Sequence, residues 1–167
     1  EVVGLIGPNG SGKTTFFNLI TGFLRPTKGN ITFMGRDIKN MSTHRITRLG
    51  IARTFQIVRP FGELSVLDNV AVAALNREKG PKKAKHRAAE VLRFLEMEDM
   101  EGVEAKNLNI GLRKRLELAK AVSTAPKLLL LDEVMNGLNA TEIQKMISFI
   151  QKIHESGITI LIIEHIM

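Results

Sequence analysis

Apolar runs of strand length alternate along the chain with segments whose apolar residues recur at helical spacing. VVGLI (2–6), NITFMG (30–35), GIARTF (50–55), KLLLLD (127–132) and ITILIIE (158–164) read as strands. Residues 14–21, 65–75, 85–97, 112–124 and 140–156 read as helices. In the last of these, Ile143, Met146, Ile147, Ile150 and Ile153 form one stripe, the 3.6-residue period of a helix packed on a sheet. Continuously apolar strands separated by helices predict an α/β fold with a mostly parallel sheet covered on both faces. Residues 64–124 contain no comparable buried strand. They predict a helical subdomain inserted into a core made of 1–63 and 125–167, the whole forming one domain. No internal repeat or low-complexity tract interrupts this pattern, and the scattered methionines read as core packing.

Composition narrows the class. A chain of 167 residues with 44% hydrophobic and 25% charged residues has the profile of an ordinary globular domain. There is no cysteine, which excludes disulfides and thiolate metal sites. No apolar run approaches the roughly 20 residues of a membrane-spanning helix. No basic leader precedes the first apolar run, so no signal peptide is expected. Strand-like sequence at both ends predicts a fragment of a longer protein, with one sheet edge left uncovered. Net charge is +7, and REKGPKKAKHR (77–87) carries six Lys or Arg against one Glu. Such a run suits nucleic acid or acidic lipid, and more often a solvated linker or helix face. No aromatic residue interleaves with it, so no base-stacking surface is indicated and no nucleic-acid partner is expected.

The first strand runs into Gly7-Pro8-Asn9-Gly10-Ser11-Gly12-Lys13-Thr14, which fits G-x-x-x-x-G-K-S/T throughout and has a strand before it and a helix after it. Glycines let the backbone curl so that successive N–H groups face phosphate oxygens, and the helix N-terminus adds a favourable dipole. Lys13 reaches the β- and γ-phosphates, Thr14 offers its hydroxyl to Mg²⁺, and Thr15 completes the phosphate-binding stretch. The loop therefore predicts a nucleoside triphosphate site. Its second half should be an acid ending a buried strand, and KLLLLDE supplies one. Asp132 is placed to hold Mg²⁺ and Glu133 to orient or deprotonate an attacking water. A strand-end acid pair also serves as a helix cap, but the loop upstream favours the metal-and-water reading. No NKxD stretch is present to read guanine, which argues against a GTPase.

Gln56 follows a strand in RTFQIVRPF, and His165 follows one in IIEHIM. Taken singly, each fits a surface or structural residue as well as a site residue. Between them, LNIGLRKRLELAKA is a glycine turn feeding a basic helix just upstream of the acidic strand. In this order the parts resemble the nucleotide-binding domain of ABC-family ATPases over essentially the whole chain. The resemblance implies that Gln56 is the Q-loop glutamine, touching Mg²⁺ or water and facing a membrane partner. It implies that His165 is the switch histidine on the γ-phosphate. Leu108, Asn109, Ile110, Gly111 and Leu112 take the signature position, which caps ATP held by an opposite subunit. Gly137, Leu138 and Asn139 fall in the D-loop. Lys13, Gln56, Glu133 and His165 would form the catalytic set, with Thr14, Gln56 and Asp132 at the metal.

LGIARTFQIVRPFGELSVLDNV and GLRKRLELAKAVSTAPKLLLLDE look like the ATP-binding subunits of branched-chain amino-acid importers, with urea and amide importers closely similar. Lipopolysaccharide-export ATPases come next, and two further readings stand behind transport: a non-transport ABC ATPase, and a nucleotide-binding module without turnover. The importer reading implies ATP and Mg²⁺ as cofactors and a head-to-tail dimer of identical or different ATPase chains. It also implies permease subunits, an extracytoplasmic solute-binding protein as an indirect partner, and a peripheral position on the cytoplasmic membrane face. The chain departs from the commonest family pattern in the signature, after the acid pair and in the D-loop. Asn109 and Leu112 replace Ser and Gln of the signature, Val134 replaces a Pro, and Asn139 replaces an Asp. The family's upstream adenine-stacking aromatic has no counterpart here. Contacts with the membrane subunits are expected near Gln56, Arg59 and Phe61.

Overall fold

The computed structural model describes residues 1–164. In chain order its elements are β1 (Val2–Leu5), α1 (Lys13–Ile20), β2 (Thr32–Phe33), β3 (Arg36–Asp37), α2 (Thr43–Leu49), β4 (Ile51–Arg53), α3 (Val66–Ala74), α4 (Pro81–Phe94), α5 (Ile110–Ser123), β5 (Leu128–Asp132), α6 (Ala140–Glu155) and β6 (Thr159–Ile163). Two short 3₁₀ turns, Glu98–Met100 and Ala105–Asn107, join α4 to α5.

Four strands form a parallel sheet in the order β1-β6-β5-β4. Helical connections bring each strand back in the same direction, as a parallel sheet requires. The register pairs Arg53 with Leu130, and Asp132 with Ile163. The phosphate loop, Glu133 and the Thr54–Gln56 stretch therefore all leave the carboxyl edge of one sheet, where ligands of open α/β folds bind.

Alternation along β5 sorts the core into two layers. Leu129 and Leu131 face a cluster built with α3, α4, α5 and α6, while Leu130 faces Phe17, Ile38, Ile46 and Ile51 beneath α1 and α2. All three leucines are fully buried, each contributing about 1.5–3 kcal/mol relative to exposure. Among the described residues β1 stands at one end of the sheet, paired with β6, and Val2 and Val3 are 47% and 42% exposed.

Helix α6 presents Met146, Phe149, Ile150 and Ile153 to the core, and Ile143 and Ile147 lie at the margin of that face. The predicted strand 30–35 shrinks to Thr32–Phe33, because Met34 (φ 50°) and Gly35 (φ 75°) turn the chain into a two-residue hairpin with β3. The basic run 77–87 enters the first two turns of α4, where Lys85 pairs with Asp68 at 2.8 Å and His86 with Glu90 at 3.3 Å. It is a solvated helix face.

Helices α3, α4 and α5 pack on one another through Val66, Val70, Ala84, Ala88, Leu116 and Ala119. Buried Asn69 ties the segment after Gln56 to α3. Its Oδ1 accepts from the Phe61 amide (2.9 Å), and its Nδ2 donates to the carbonyls of Phe61 (3.0 Å), Leu64 (3.2 Å) and Ser65 (2.9 Å).

Candidate functional site

The phosphate loop is held open by its glycines. Gly10 (φ 81°) and Gly12 (φ 92°) lie in the left-handed region that side chains resist. A Cβ on Gly7 would sit 2.7 Å from Ser11 Oγ. Helix α1 starts directly after Gly12 with no side-chain cap and no acid in its first turn. Its amides and dipole are left uncompensated, which suits an anion. Lys13 Nζ donates to the carbonyls of Gly7 (2.6 Å) and Pro8 (3.0 Å), so the ammonium is folded back against its own loop while its stem is buried.

The acid pair stands across from this loop. Asp132 Oδ2 accepts from Arg53 Nη2 at 2.6 Å, its backbone N–H donates to Thr54 Oγ1 at 3.2 Å, and its Oδ1 is buried without a partner. Glu133 is 7% exposed and left-handed (φ 49°). Its amide donates to the Ile163 carbonyl (3.0 Å), its carbonyl accepts from Lys114 Nζ (2.9 Å), and its Oε2 accepts from Gln56 Nε2 (2.7 Å). Burial holds the Lys114 amine below the usual lysine range, against the opposing pull of the Glu164 and Glu133 charges.

Thr14, Gln56 and Asp132 line one cavity of about 480 Å³, together with Arg53, Phe55 and Arg59. Among the described residues no group of three or more His, Cys, Asp or Glu is arranged to hold a metal alone. Mg²⁺ asks for less, because it is commonly held by one or two carboxylates plus phosphate and water oxygens. The unpartnered Oδ1 of Asp132 and the Thr14 hydroxyl on the same cavity fit that requirement.

The signature turn occupies different ground. Asn109 caps α5, its Oδ1 accepting from the Leu112 amide at 2.8 Å. Leu112 packs against the main core, and Ile110 is exposed. Asn109 and Gly111 line a separate cavity of about 650 Å³ with Leu138, Asn139 and Glu142, and it shares no lining residue with the Thr14–Asp132 cavity. Asn139 caps α6 in a reciprocal box with Glu142, both bonds at 3.0 Å, so asparagine keeps the capping role available to an aspartate there. Val134 is buried in the core. An added Cβ on Gly111 would overlap Glu142 Oε1. Gly111→Ala is therefore expected to swing the Glu142 carboxylate out of its box, a loss largely offset by the alanine's better helix propensity, so that urea unfolding shifts by less than about 1 kcal/mol.

Gln56, Arg59 and Phe61 are exposed, and His165 lies outside the described residues. Two residues that the pattern reading passed over touch the acid pair: Arg53, at the end of β4, and Lys114, on α5. For Lys114 a signal existed. Lys114 stands four, seven and eight residues before Leu118, Ala121 and Val122, which places it on the apolar face of α5.

Comparison with known proteins identifies the family. The ABC transporter family model matches residues 1–136. The high-affinity branched-chain amino acid transport ATP-binding protein LivG of Salmonella typhimurium is 38% identical over 100% of this chain and 72% of its own. The crystal structure of a nucleotide-free ATP-binding cassette from an ABC transporter superposes with a TM-score of 0.88 at 32% identity, covering 99% of this chain and 70% of that one. A dimeric ATP-binding cassette in a post-hydrolysis state, bound to ADP and Pi, gives a TM-score of 0.85 at 25% identity, covering 98% and 74%. The phosphate loop, the acid pair on the same sheet edge and the family match over most of the sequence lead to one conclusion: this chain belongs to the ABC transporter family, as an ATP-binding subunit.

Proposed function

We propose that the chain hydrolyses ATP in a head-to-tail dimer and thereby powers uptake of branched-chain or other hydrophobic amino acids. One observation carries the catalytic part: Thr14, Gln56 and Asp132 converge on a single cavity, and Gln56 holds the carboxylate of Glu133 beside it. The phosphates lie along the loop Gly7, Pro8, Asn9, Gly10, Ser11, Gly12, Lys13, Thr14 and Thr15, on the backbone N–H groups this stretch offers; Pro8 shapes the turn and donates none. Lys13 turns from its loop carbonyls to the β- and γ-phosphates. Thr14, Asp132 and Gln56 hold Mg²⁺, which when bound neutralises phosphate charge. Glu133 accepts a proton from water as its oxygen bonds to the γ-phosphorus, and the bond to the ADP oxygen breaks. His165 contacts the γ-phosphate.

Leu108, Asn109, Ile110, Gly111 and Leu112 close over ATP held by a second chain. Two features support this pairing: the signature turn and the phosphate loop open onto separate cavities within one chain, and a related cassette is dimeric. The solute class rests on what the relative's name says it transports. Permease subunits dock near Gln56, Arg59 and Phe61, and a solute-binding protein delivers the amino acid from outside. Among the described residues no helix is long and apolar enough to cross a membrane. The peripheral position on the cytoplasmic face rests on the transporter reading alone.

The test is gentle purification of the tagged protein from its native membranes, with co-purifying chains identified by mass spectrometry. A polytopic permease with a second ATPase chain is the expected result. Ribosomal or DNA-bound partners without a membrane protein would overturn the importer reading, and a lipid-export permease would replace the solute.

A further inference from the structure

The contact between Arg53 and Asp132 is shaped unlike an ordinary structural ion pair. Both side chains are almost completely enclosed, 6% and 3% exposed. Each is only part satisfied. Arg53 donates from Nη2 to Asp132 Oδ2 and from Nη1 to Asn18 Oδ1, both at 2.6 Å. Its Nε and the other carboxylate oxygen, Asp132 Oδ1, are buried without partners. A structural pair would gain most by closing as a two-pronged fork, with both carboxylate oxygens engaged. This one leaves an oxygen over, on the side chain that lines the Thr14–Gln56 cavity.

The guanidinium also has somewhere else to rest. Its central carbon lies 5.4 Å from the ring centre of Phe17 and 5.2 Å from that of Phe55, within reach of a cation–π attraction on each. Asn18 and Phe17 belong to α1, directly behind the phosphate loop, and Phe55 immediately precedes Gln56. Arg53 is thus anchored by α1 and by the approach to Gln56 independently of Asp132.

We propose that Arg53 is a tethered counter-cation that shares Asp132 with Mg²⁺ and sets how much metal nucleotide binding requires. The proposal rests on the reading of Asp132 as a metal-holding residue. A buried carboxylate left alone is costly, and Arg53 keeps it ionised and in place while no metal is bound. A divalent ion at Oδ1 puts like charge across the same carboxylate, so metal loading weakens the Arg53 contact. The anchors on Asn18, Phe17 and Phe55 retain the guanidinium when that happens. Arg53 is in these terms a positioning residue: it acts through Asp132 and through the segment that carries Gln56.

Binding of a fluorescent ATP analogue, followed while Mg²⁺ is titrated into metal-free buffer, tests this on the full chain. In Arg53→Met the competitor is gone, and the half-saturating Mg²⁺ is expected to fall by about tenfold, the equivalent of about 1.4 kcal/mol of relieved competition. Arg53→Lys keeps the charge but lacks the planar fork, and should fall between wild type and Arg53→Met. Arg53→Met should also lose more thermal stability in metal-free buffer than with Mg²⁺ and nucleotide present, whereas a purely structural arginine would cost the same in both. An unchanged or raised half-saturating Mg²⁺ in the variants, with wild type clearly Mg²⁺-dependent, overturns the proposal. If Arg53→Met fails to fold without metal, the Arg53→Lys titration decides alone. Nucleotide binding by wild type that ignores Mg²⁺ altogether would overturn the metal reading of Asp132 and the proposal with it.

Discussion

Glu133→Gln is expected to cut ATP turnover by about 10²- to 10⁴-fold while ATP still binds, the range by which a positioned general base accelerates proton transfer. The substitution is unusually clean at this position. Glu133 Oε2 accepts from Gln56 Nε2 at 2.7 Å, and a glutamine amide oxygen can accept the same bond. The backbone anchors, from Lys114 to the carbonyl and from the amide to Ile163, do not involve the side chain. The left-handed φ of 49° strains glutamine no more than glutamate. The fold should lose only a little of its unfolding midpoint, from the charge that supported buried Lys114, while turnover loses the basic oxygen. With hydrolysis blocked, ATP should accumulate in the closed pair of chains. Size-exclusion chromatography in ATP should then show a dimer for the variant, and a monomer in ADP. A variant that hydrolyses ATP at the wild-type rate would remove Glu133 from the role of base.

How much of this site was legible beforehand depends on how each residue makes its contribution. The phosphate loop was legible because its glycines answer a backbone demand: Gly10 and Gly12 sit at positive φ, and Gly7 has Ser11 Oγ where a Cβ would go. Asp132 and Glu133 were legible because a continuous apolar run that ends in two acids has few other uses. Arg53 was not, because a single arginine in a strand pattern looks solvated, and its partner lies 79 residues away. The pairing of β4 with β5 creates that contact, and local sequence does not encode it. Helix α2 was missed because only Ile46 on it is buried, too little to leave a stripe. On α6 the apolar stripe was read slightly off its true face, which turns to include Phe149 and leaves Ile143 and Ile147 at the margin. Residue-to-residue chemistry on one loop was thus easier to read than anything that required knowing which strands are neighbours.

Lys13→Met is expected to weaken ATP binding by about 10- to 100-fold or more with little loss of stability. The ammonium donates to the carbonyls of Gly7 and Pro8 at 2.6 and 3.0 Å, so in the resting chain it is held at the loop by bonds it can exchange for phosphate oxygens. A hydrogen bond to a charged group contributes about 1.5–3 kcal/mol, and each 1.4 kcal/mol is tenfold in affinity. Methionine keeps most of the buried stem, so the comparison isolates the charge, whereas Lys13→Ala loses stem packing as well. Lys13→Arg should not rescue binding, because a planar fork cannot replace a compact three-donor ammonium inside so tight a loop. Isothermal titration with ATP separates these cases. Weak binding in Lys13→Met and Lys13→Arg, with unfolding midpoints near wild type, places the charge at the phosphates. Wild-type affinity in Lys13→Met would mean that the loop amides and the α1 dipole hold the nucleotide without the lysine, whose two carbonyl contacts would then be its whole role.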